Sequence, residues 1–198
     1  MPDLVATPPL PVTEQRILDA STRLFYANGY HATTMRDIAS EVGIKAGSLY
    51  NHYGGKEEIL LRICIETSRR LYDGAVDTLD GIDDVEEQLR KFITWHVTFH
   101  AEYREASRVT DTQLYYLQPN NRQAVIEVRD AHEKLLRDIL ARGAKQRRWR
   151  SSNLRVISIG IETMCTEVDA WFRADGELTS EEIAAIYTDF IRRGLGGR

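Results

Sequence analysis

Residues 43–58 read GIKAGSLYNHYGGKEE, and this stretch decides the fold. Only Ile44, Ala46 and Leu49 in it are clearly apolar, so it cannot be held by a core of its own. Lys45, Gly47, Ser48, Tyr50, Asn51, His52 and Tyr53 stand between and after them. Ala46, Leu49 and Tyr53 follow the i, i+3, i+7 spacing that places residues on one face of a helix. A short helix from about Lys45 to Tyr53 is therefore predicted, leaning on neighbours with that face and presenting the rest.

The neighbours lie just upstream. TTMRDIASEVG, residues 33–43, opens on Thr34 with Asp37 three positions on, a capping-box pattern, and Gly43 ends it. Ile38, Ala39 and Val42 line one face of that helix. Before it, Thr13 is placed to cap a helix whose Ile17, Ala20, Leu24 and Phe25 fall at helical spacing, and Asn28-Gly29 supplies the stop. Residues 1–12 hold four of the five prolines and read as a flexible arm. Residues 13–55 are thus predicted as three short helices, the last two joined by a tight glycine turn, which is a helix-turn-helix module.

With Leu49 and Tyr53 inward against Phe25, Ile38 and Val42, the outer face carries a set suited to DNA. Lys45, His52, Lys56 and the Tyr50 hydroxyl are donors for phosphates, which fix register. Ser48 and Asn51 are of a length and chemistry to meet base edges in the major groove. Gly47 costs about 1 kcal/mol of helix propensity relative to Ala, reasonable where a backbone must approach another molecule closely. Thr34 and Arg36, on the preceding helix, add a hydroxyl and a guanidinium. The net charge of −4 runs against nucleic acid, and residues 1–58 carry five Lys/Arg against seven Asp/Glu. Position matters more than the sum, because exposed charges are screened within about 8–10 Å. Gly43 to Lys56 contains two lysines, one histidine and no acid.

Residues 56–198 change to longer helices: Lys56 to about Gly81, residues 83–103, a shorter segment to Gln118, a helix beginning at Pro119, then Asn153–Ala174 and Ser180–Leu195. Thr179 and Glu182 make another capping box. No alternating strand pattern stands out, so the chain reads as all-α, a small module continuous with a larger helical body. The N-terminus has no signal-peptide pattern, and no apolar run approaches the ~20 residues of a membrane span. Cys64 and Cys165 show no metal spacing and read as reduced packing residues of a cytoplasmic protein.

TTMRDIASEVGIKAGSLYNHYGGKEEIL, residues 33–60, resembles the DNA-binding module of TetR-type transcriptional regulators. The shared elements are Phe25, the Asn28-Gly29-Tyr30 turn, Thr34, Asp37-Ile38-Ala39, and Gly47-Ser48-Leu49-Tyr50 followed by His52, Tyr53 and Lys56. Asn51 stands where an aromatic residue or His is often found, and Gly54-Gly55 replaces the more usual Pro, Lys or Ser. The resemblance implies a homodimeric regulator, a repressor, bound to a palindromic operator with recognition helices about one DNA turn, ~34 Å, apart. It also implies a four-helix dimer bundle built from the last two helices. Ile161, Val168, Trp171 and Phe172 on one, with Ile183, Tyr187 and Ile191 on the other, are the expected interface, since two apolar stripes exceed what a monomer hides.

The middle helices should enclose a small-molecule effector. In TWHVTFHAEY, residues 94–103, Trp95, Phe99 and Tyr103 fall near one face and His96 and His100 one turn apart on the next. These five are pocket candidates, with Tyr115, Tyr116 and Met164. Histidines at i, i+4 can chelate zinc, but the Glu of an H-E-x-x-H motif is absent and no third ligand is evident by spacing, so no metal or cofactor is expected. The chain's closing pattern, Trp171-Phe172 followed by DGELTSEEIAAIYTDFIRRGL, looks like that of TetR-type regulators of lipid and steroid breakdown, some of which answer to acyl-CoA thioesters. KQRRWRSSNLR, residues 145–155, reads first as a solvated connection and second as an anion site for the phosphates of coenzyme A. Two rival functions stand beside this one. One is a metal-dependent enzyme using His96, His100 and an acid such as Glu102; the other is a TetR-like protein acting through protein contacts.

Overall fold

The computed structural model describes residues 12–150 and 153–196, so residues 1–11 of the expected arm lie outside the described residues and Val12 opens the first helix. Among them the elements are helical throughout. The first three are α1 (Val12–Asn28), α2 (Met35–Val42) and α3 (Ala46–Tyr50). They are followed by α4 (Lys56–Leu79), α5 (Val85–Glu102), α6 (Arg104–Gln113), a 3-10 turn (Leu114–Tyr116) and α7 (Pro119–Lys145). The last three are α8 (Leu154–Thr166), α9 (Val168–Trp171) and α10 (Ser180–Gly194). No helix among the described residues is long and apolar enough to cross a membrane.

The local signals explain most boundaries. Thr34 and Asp37 form a reciprocal capping box on α2, and Gly43 ends it at φ 77°, a left-handed geometry that glycine adopts without a Cβ penalty. Thr179 and Glu182 cap α10 in the same way. Pro119 opens α7 where a missing N–H costs nothing. Two boundaries differ from expectation. Thr13 lies inside α1 instead of capping it, and α3 stops at Tyr50, with Asn51 and His52 in a turn. The expected helix at Asn153–Ala174 is broken near Glu167 into α8 and α9.

Two cores hold the molecule. The first joins Ile17 and Phe25 of α1, Ile38 and Val42 of α2, Leu49 of α3 and Ile59 and Leu60 of α4. Val109, Leu114, Leu117 and Val125 complete it, so α6, the 3-10 turn and the start of α7 pack directly into the helix-turn-helix core. Polar ties follow the same path: Gln113 Nε2 donates to the Phe25 carbonyl at 2.8 Å. Glu57 accepts from the Gln118 backbone at 2.8 Å and from Asn121 at 2.9 Å. The second core joins α5, α7, α8 and α10 through Phe92, Ile93, Leu136, Ile139, Ile161 and Ile183. Trp149 belongs to it: a Cβ at Gly143 would stand 1.8 Å from its ring, and its indole N–H donates to the Leu140 carbonyl at 2.9 Å. The basic connection is therefore pegged at its centre by a core residue. Arg148 lies 3.9 Å from Asp84 and 3.7 Å from Glu86, so that cation already has partners at the start of α5.

Candidate functional site

Three surfaces decide what this fold can do. The first is the outer face of α2 and α3. Leu49 is fully buried and Tyr53 is 6% exposed, while Lys45, Gly47, Ser48, Tyr50 and Asn51 are all exposed. Arg36 is exposed on α2 beside them. A side chain at Gly47 would meet nothing within 4 Å in the free chain, so its absence leaves the backbone open to a partner. The cationic, hydroxyl and amide groups of α3 thus project together from a segment, Gly43 to Lys56, that contains no acid.

Three residues expected there have partners within the chain, and of them Thr34 and His52 remain exposed. Lys56 Nζ donates to the carbonyl of Tyr30 and, at 2.7 Å, to that of Thr33, and sits 4.2 Å from the centre of the Tyr30 ring. It braces the α1–α2 turn instead of reaching outward. Both donors of Thr34 point at one Asp37 oxygen, the hydroxyl at 2.7 Å and the amide at 2.8 Å. Those bonds hold the Asp37 carboxyl below its usual pKa and leave Thr34 as a helix cap. His52 Nδ1 is 4.0 Å from Glu14 of α1, toward the α1–α4 side.

The second surface is internal. A cavity of about 280 Å³ lies among α4, α5, α6, α7 and α8, and most of the residues that line it carry polar side chains. His96 and His100 line it as expected, with their rings stacked at 4.7 Å, and Phe99 closes one side. His132 of α7, Ser107, Thr110, Asp111, Arg129 and Glu162 join them. A larger cavity of about 550 Å³ lies between α1, α4 and the α5–α6 junction, and Thr67, Phe99 and the neighbouring Tyr103 are in its wall; the first two are shared by both cavities. The other pocket candidates go elsewhere. Trp95 packs on Gly74 and donates to the Leu71 carbonyl at 2.8 Å. Tyr116 stacks on Tyr30 at 5.3 Å, Tyr115 is 70% exposed, and Met164 packs against the second core.

The small cavity is an unusual interior. His96, His100 and His132 are each at most 4% exposed. Burial first, then His100, His132 and Arg129, hold His96 well below its ordinary pKa, and burial brings His100 down to about 3. At neutral pH both rings are uncharged. His96 Nε2 meets Thr166 Oγ1 at 3.0 Å and His132 Nδ1 meets Glu162 at 2.8 Å. His96 Nδ1, both nitrogens of His100, His132 Nε2 and the Ser107 hydroxyl have no hydrogen-bond partner among the described residues, while the Thr110 hydroxyl lies against the Cys64 thiol. Each such group costs about 1–3 kcal/mol if left so, and bound polar atoms would satisfy them.

Asp169 adds a pH dependence at the edge of this region. It is 1% exposed, and burial together with the Asp111 charge raises its carboxyl to about 7, against the opposing pull of Arg108 at 3.5 Å. The folded chain therefore holds this proton more tightly than the unfolded chain. Its contribution to stability is present below the unfolded value of 3.8 and is lost as pH rises through about 7. Asp169→Asn should gain melting temperature over the parent, with the gain widening by on the order of 5 °C between pH 5 and pH 8 in thermal melts. A gain that does not change with pH would show that the carboxyl ionises normally in the fold.

The third surface is on α8, α9 and α10. Val156, Ile159, Ile186 and Phe190 are 64%, 49%, 54% and 66% exposed, and Trp171 is 49% exposed. Of the expected interface residues, only Trp171 is on this open face. Ile161, Val168, Ile183 and Ile191 are buried in the second core, and Phe172 and Tyr187 pack half-buried against it. Both helices are apolar on two sides. The apolar stripe legible on the last helix, Ile183, Ile186, Tyr187, Phe190 and Ile191, is divided between the two sides, with Ile186 and Phe190 on the open face and the other three inward.

With this geometry in place, comparison with known proteins is direct. Residues 17–63 match the family described as bacterial regulatory proteins, tetR family, and residues 83–195 match the tetracyclin repressor-like C-terminal domain. The HTH-type transcriptional repressor KstR2 of Mycobacterium tuberculosis is 25% identical over 189 residues, covering 90% of each chain. The structure of the TetR family transcriptional regulator PfmR from Thermus thermophilus is 35% identical, with a TM-score of 0.84 over 91% of this chain and 98% of that one. AibR, whose structure was determined with isovaleryl coenzyme A and operator DNA, shares the fold at 21% identity and a TM-score of 0.83, over 90% of this chain and 97% of that one. The all-α architecture, the module over α1–α3 and the C-terminal body agree on one assignment: this chain belongs to the tetR family of bacterial transcriptional regulators.

Proposed function

We propose that the chain is a homodimeric repressor that binds a palindromic operator through the α2–α3 face and releases it when an acyl-CoA thioester occupies the helical body. The observation that carries the DNA reading is the acid-free cluster of Lys45, Gly47, Ser48, Tyr50 and Asn51, exposed while Leu49 of the same helix is fully buried. Lys45, Arg36 and Tyr50 supply phosphate contacts, and Ser48 and Asn51 read bases. The protein works as a binding module and not as a catalyst, on DNA in the cytoplasm. Residues 13–55 serve as its DNA-binding part and 56–198 as its effector and dimer part.

The interior narrows the effector. A long alkyl chain filling the small cavity would leave His96, His100 and Ser107 unpaired, which disfavours a long aliphatic acyl group. An oxygen-bearing acyl group fits that wall, and so does a short one whose thioester carbonyl stays within reach of those donors, with the larger cavity for the rest of the molecule. AibR, taken with its isovaleryl-CoA ligand, supports the ligand class. The basic connection is a poor site for the coenzyme phosphates. Arg148 is paired near Glu86, roughly 15 Å along α5 from His96 at 1.5 Å per residue. Release follows from population shift: the effector prefers a conformer with wrongly spaced recognition helices, and it shifts the equilibrium only by that difference in affinity. The packing of α6 and the start of α7 into the helix-turn-helix core supplies a mechanical route for it.

Fluorescence anisotropy tests the reading, using DNA from upstream of the protein's own coding region and then titrating isovaleryl-CoA, palmitoyl-CoA and free coenzyme A. Saturable, salt-sensitive binding reversed by the short thioester alone is the expected result. Lys45→Ala should weaken binding to every sequence and lower the salt slope by about 1, whereas Asn51→Ala should change sequence preference. No better binding than to unrelated DNA would overturn the repressor, and release by palmitoyl-CoA alone would overturn the short acyl group.

A further inference from the structure

We infer that His96, His132 and Glu162 form a binding site for a divalent transition-metal ion of the zinc class, with an open coordination position facing the small cavity. The three donors come from α5, α7 and α8, and one ligand atom from each lies within 4.8 Å of the others. The sequence hid this set because the histidine at helical spacing from His96 is His100, while the histidine that converges with it is 36 residues away on another helix.

The site is built and not a chance grouping on the surface. His96 and His132 are each 3% exposed, and the Glu162 side chain is 19% exposed. Glu162 already holds His132 Nδ1 at 2.8 Å, and Thr166 holds His96 Nε2 at 3.0 Å. Phe92 backs both rings, 4.9 Å from His132 and 6.0 Å from His96, which fixes their planes. Shared ligation by Glu162 and His132 uses His132 Nδ1, the nitrogen already against Glu162, with the ion taking the place of the proton between them; His96 Nδ1 has no partner among the described residues. Two imidazoles and one carboxylate are a donor set for zinc or ferrous iron that leaves room for an exogenous ligand. At metal–ligand distances of about 2.0–2.2 Å the donors would draw together by roughly 1 Å, within reach of side-chain rotation. The cavity side, with Thr163 and Thr166, is where the remaining position opens.

A second grouping, His100, Asp111 and Asp169, is equally compact but already holds its cations. Arg129 is 2.7 Å from Asp111 and Arg108 is 3.5 Å from Asp169, so a metal ion there would face two guanidinium groups. Arg129 also bears on the first set, where its charge is felt at His96, but its guanidinium is anchored 2.7 Å from Asp111 and away from the three donors' own pairs. The metal site stands apart from the repressor reading; only its use, taking an oxygen of the effector, rests on the cavity being the effector site.

The test uses untagged full-length protein stripped with a chelator and titrated with Co²⁺, following the visible absorption of four- or five-coordinate cobalt, with Zn²⁺ as competitor. One ion per chain is expected. His132→Gln and Glu162→Gln should each weaken binding on the order of 100-fold, while His100→Gln, one turn from His96, keeps it. Thermal melts and operator binding of each variant show that it is folded, and Glu162→Gln, at the least buried of the three, serves if His132→Gln is not. Absence of the cobalt band, binding unchanged in Glu162→Gln, or an equal loss in His100→Gln would overturn the assignment. Operator binding by the stripped protein would be untouched in each case, so the repressor reading is judged separately.

Discussion

Replacing Ile186 and Phe190 together by Asp is expected to leave a folded monomer that has lost operator binding by more than 100-fold. Both side chains are more than half exposed on α10, and neither belongs to the intrachain cores. Burying an Ile or Phe stabilises by about 1.5–3 kcal/mol, and a two-fold interface uses each residue twice. Introducing carboxylates removes that gain and adds the cost of burying charge, so a loss of at least about 4 kcal/mol, roughly 1,000-fold in the dimer constant, is expected. A monomer presents a single recognition helix and cannot span two half-sites one turn apart. Light scattering after size-exclusion chromatography reads the oligomeric state, and anisotropy reads the operator. Ile183→Asp is the contrast: that residue is 3% exposed, so its variant should unfold instead of merely dissociating. A dimer that survives the α10 pair would move the interface to another face.

Leu49→Ala should cost about 2–5 kcal/mol, the usual range for a leucine cut back in a core. The residue is fully buried and is the only buried one in α3. A helix of five residues does not persist by its own hydrogen bonds, since helices under about 12 residues are marginal in water. Leu49 fastens it to Ile38, Val42 and Phe25, so the cavity left behind also frees the face that carries Ser48 and Asn51. A drop in melting temperature of about 5–15 °C is expected, with operator binding falling at temperatures where the body is still helical. Thermal melts by circular dichroism beside anisotropy at matched temperatures check both. Operator affinity that falls only in step with global unfolding would mean that α3 is held by the rest of the module without this contact.

Much of the helix-turn-helix was legible because its signals are local. Capping boxes, a left-handed glycine and apolar residues three and four apart act within one or two turns, so Thr34, Gly43, Pro119 and Thr179 mark helix ends in the sequence as they do in the fold. The same locality hid the internal partners of Lys56 and Thr34. A cation or a hydroxyl next to a recognition helix looks free in sequence, but the carbonyls of Tyr30 and Thr33 and the Asp37 carboxylate were closer competitors for those donors.

The sequence by itself determined the family, the helical class and which face of α3 turns outward, because each follows from spacing along a single segment. Only the tertiary structure decided three further matters. It left Val156 and Ile159 of α8 and Ile186 and Phe190 of α10 exposed and turned the other apolar residues of those helices inward, since a helix apolar on two sides carries no local mark of which side meets its own chain. It sent Trp95 into the groove at Gly74 and Met164 into the core, leaving His96, His100 and Phe99 around a polar cavity. And it brought His132 and Glu162 to His96 across three helices, a convergence fixed by how those helices pack and by no spacing within any one of them.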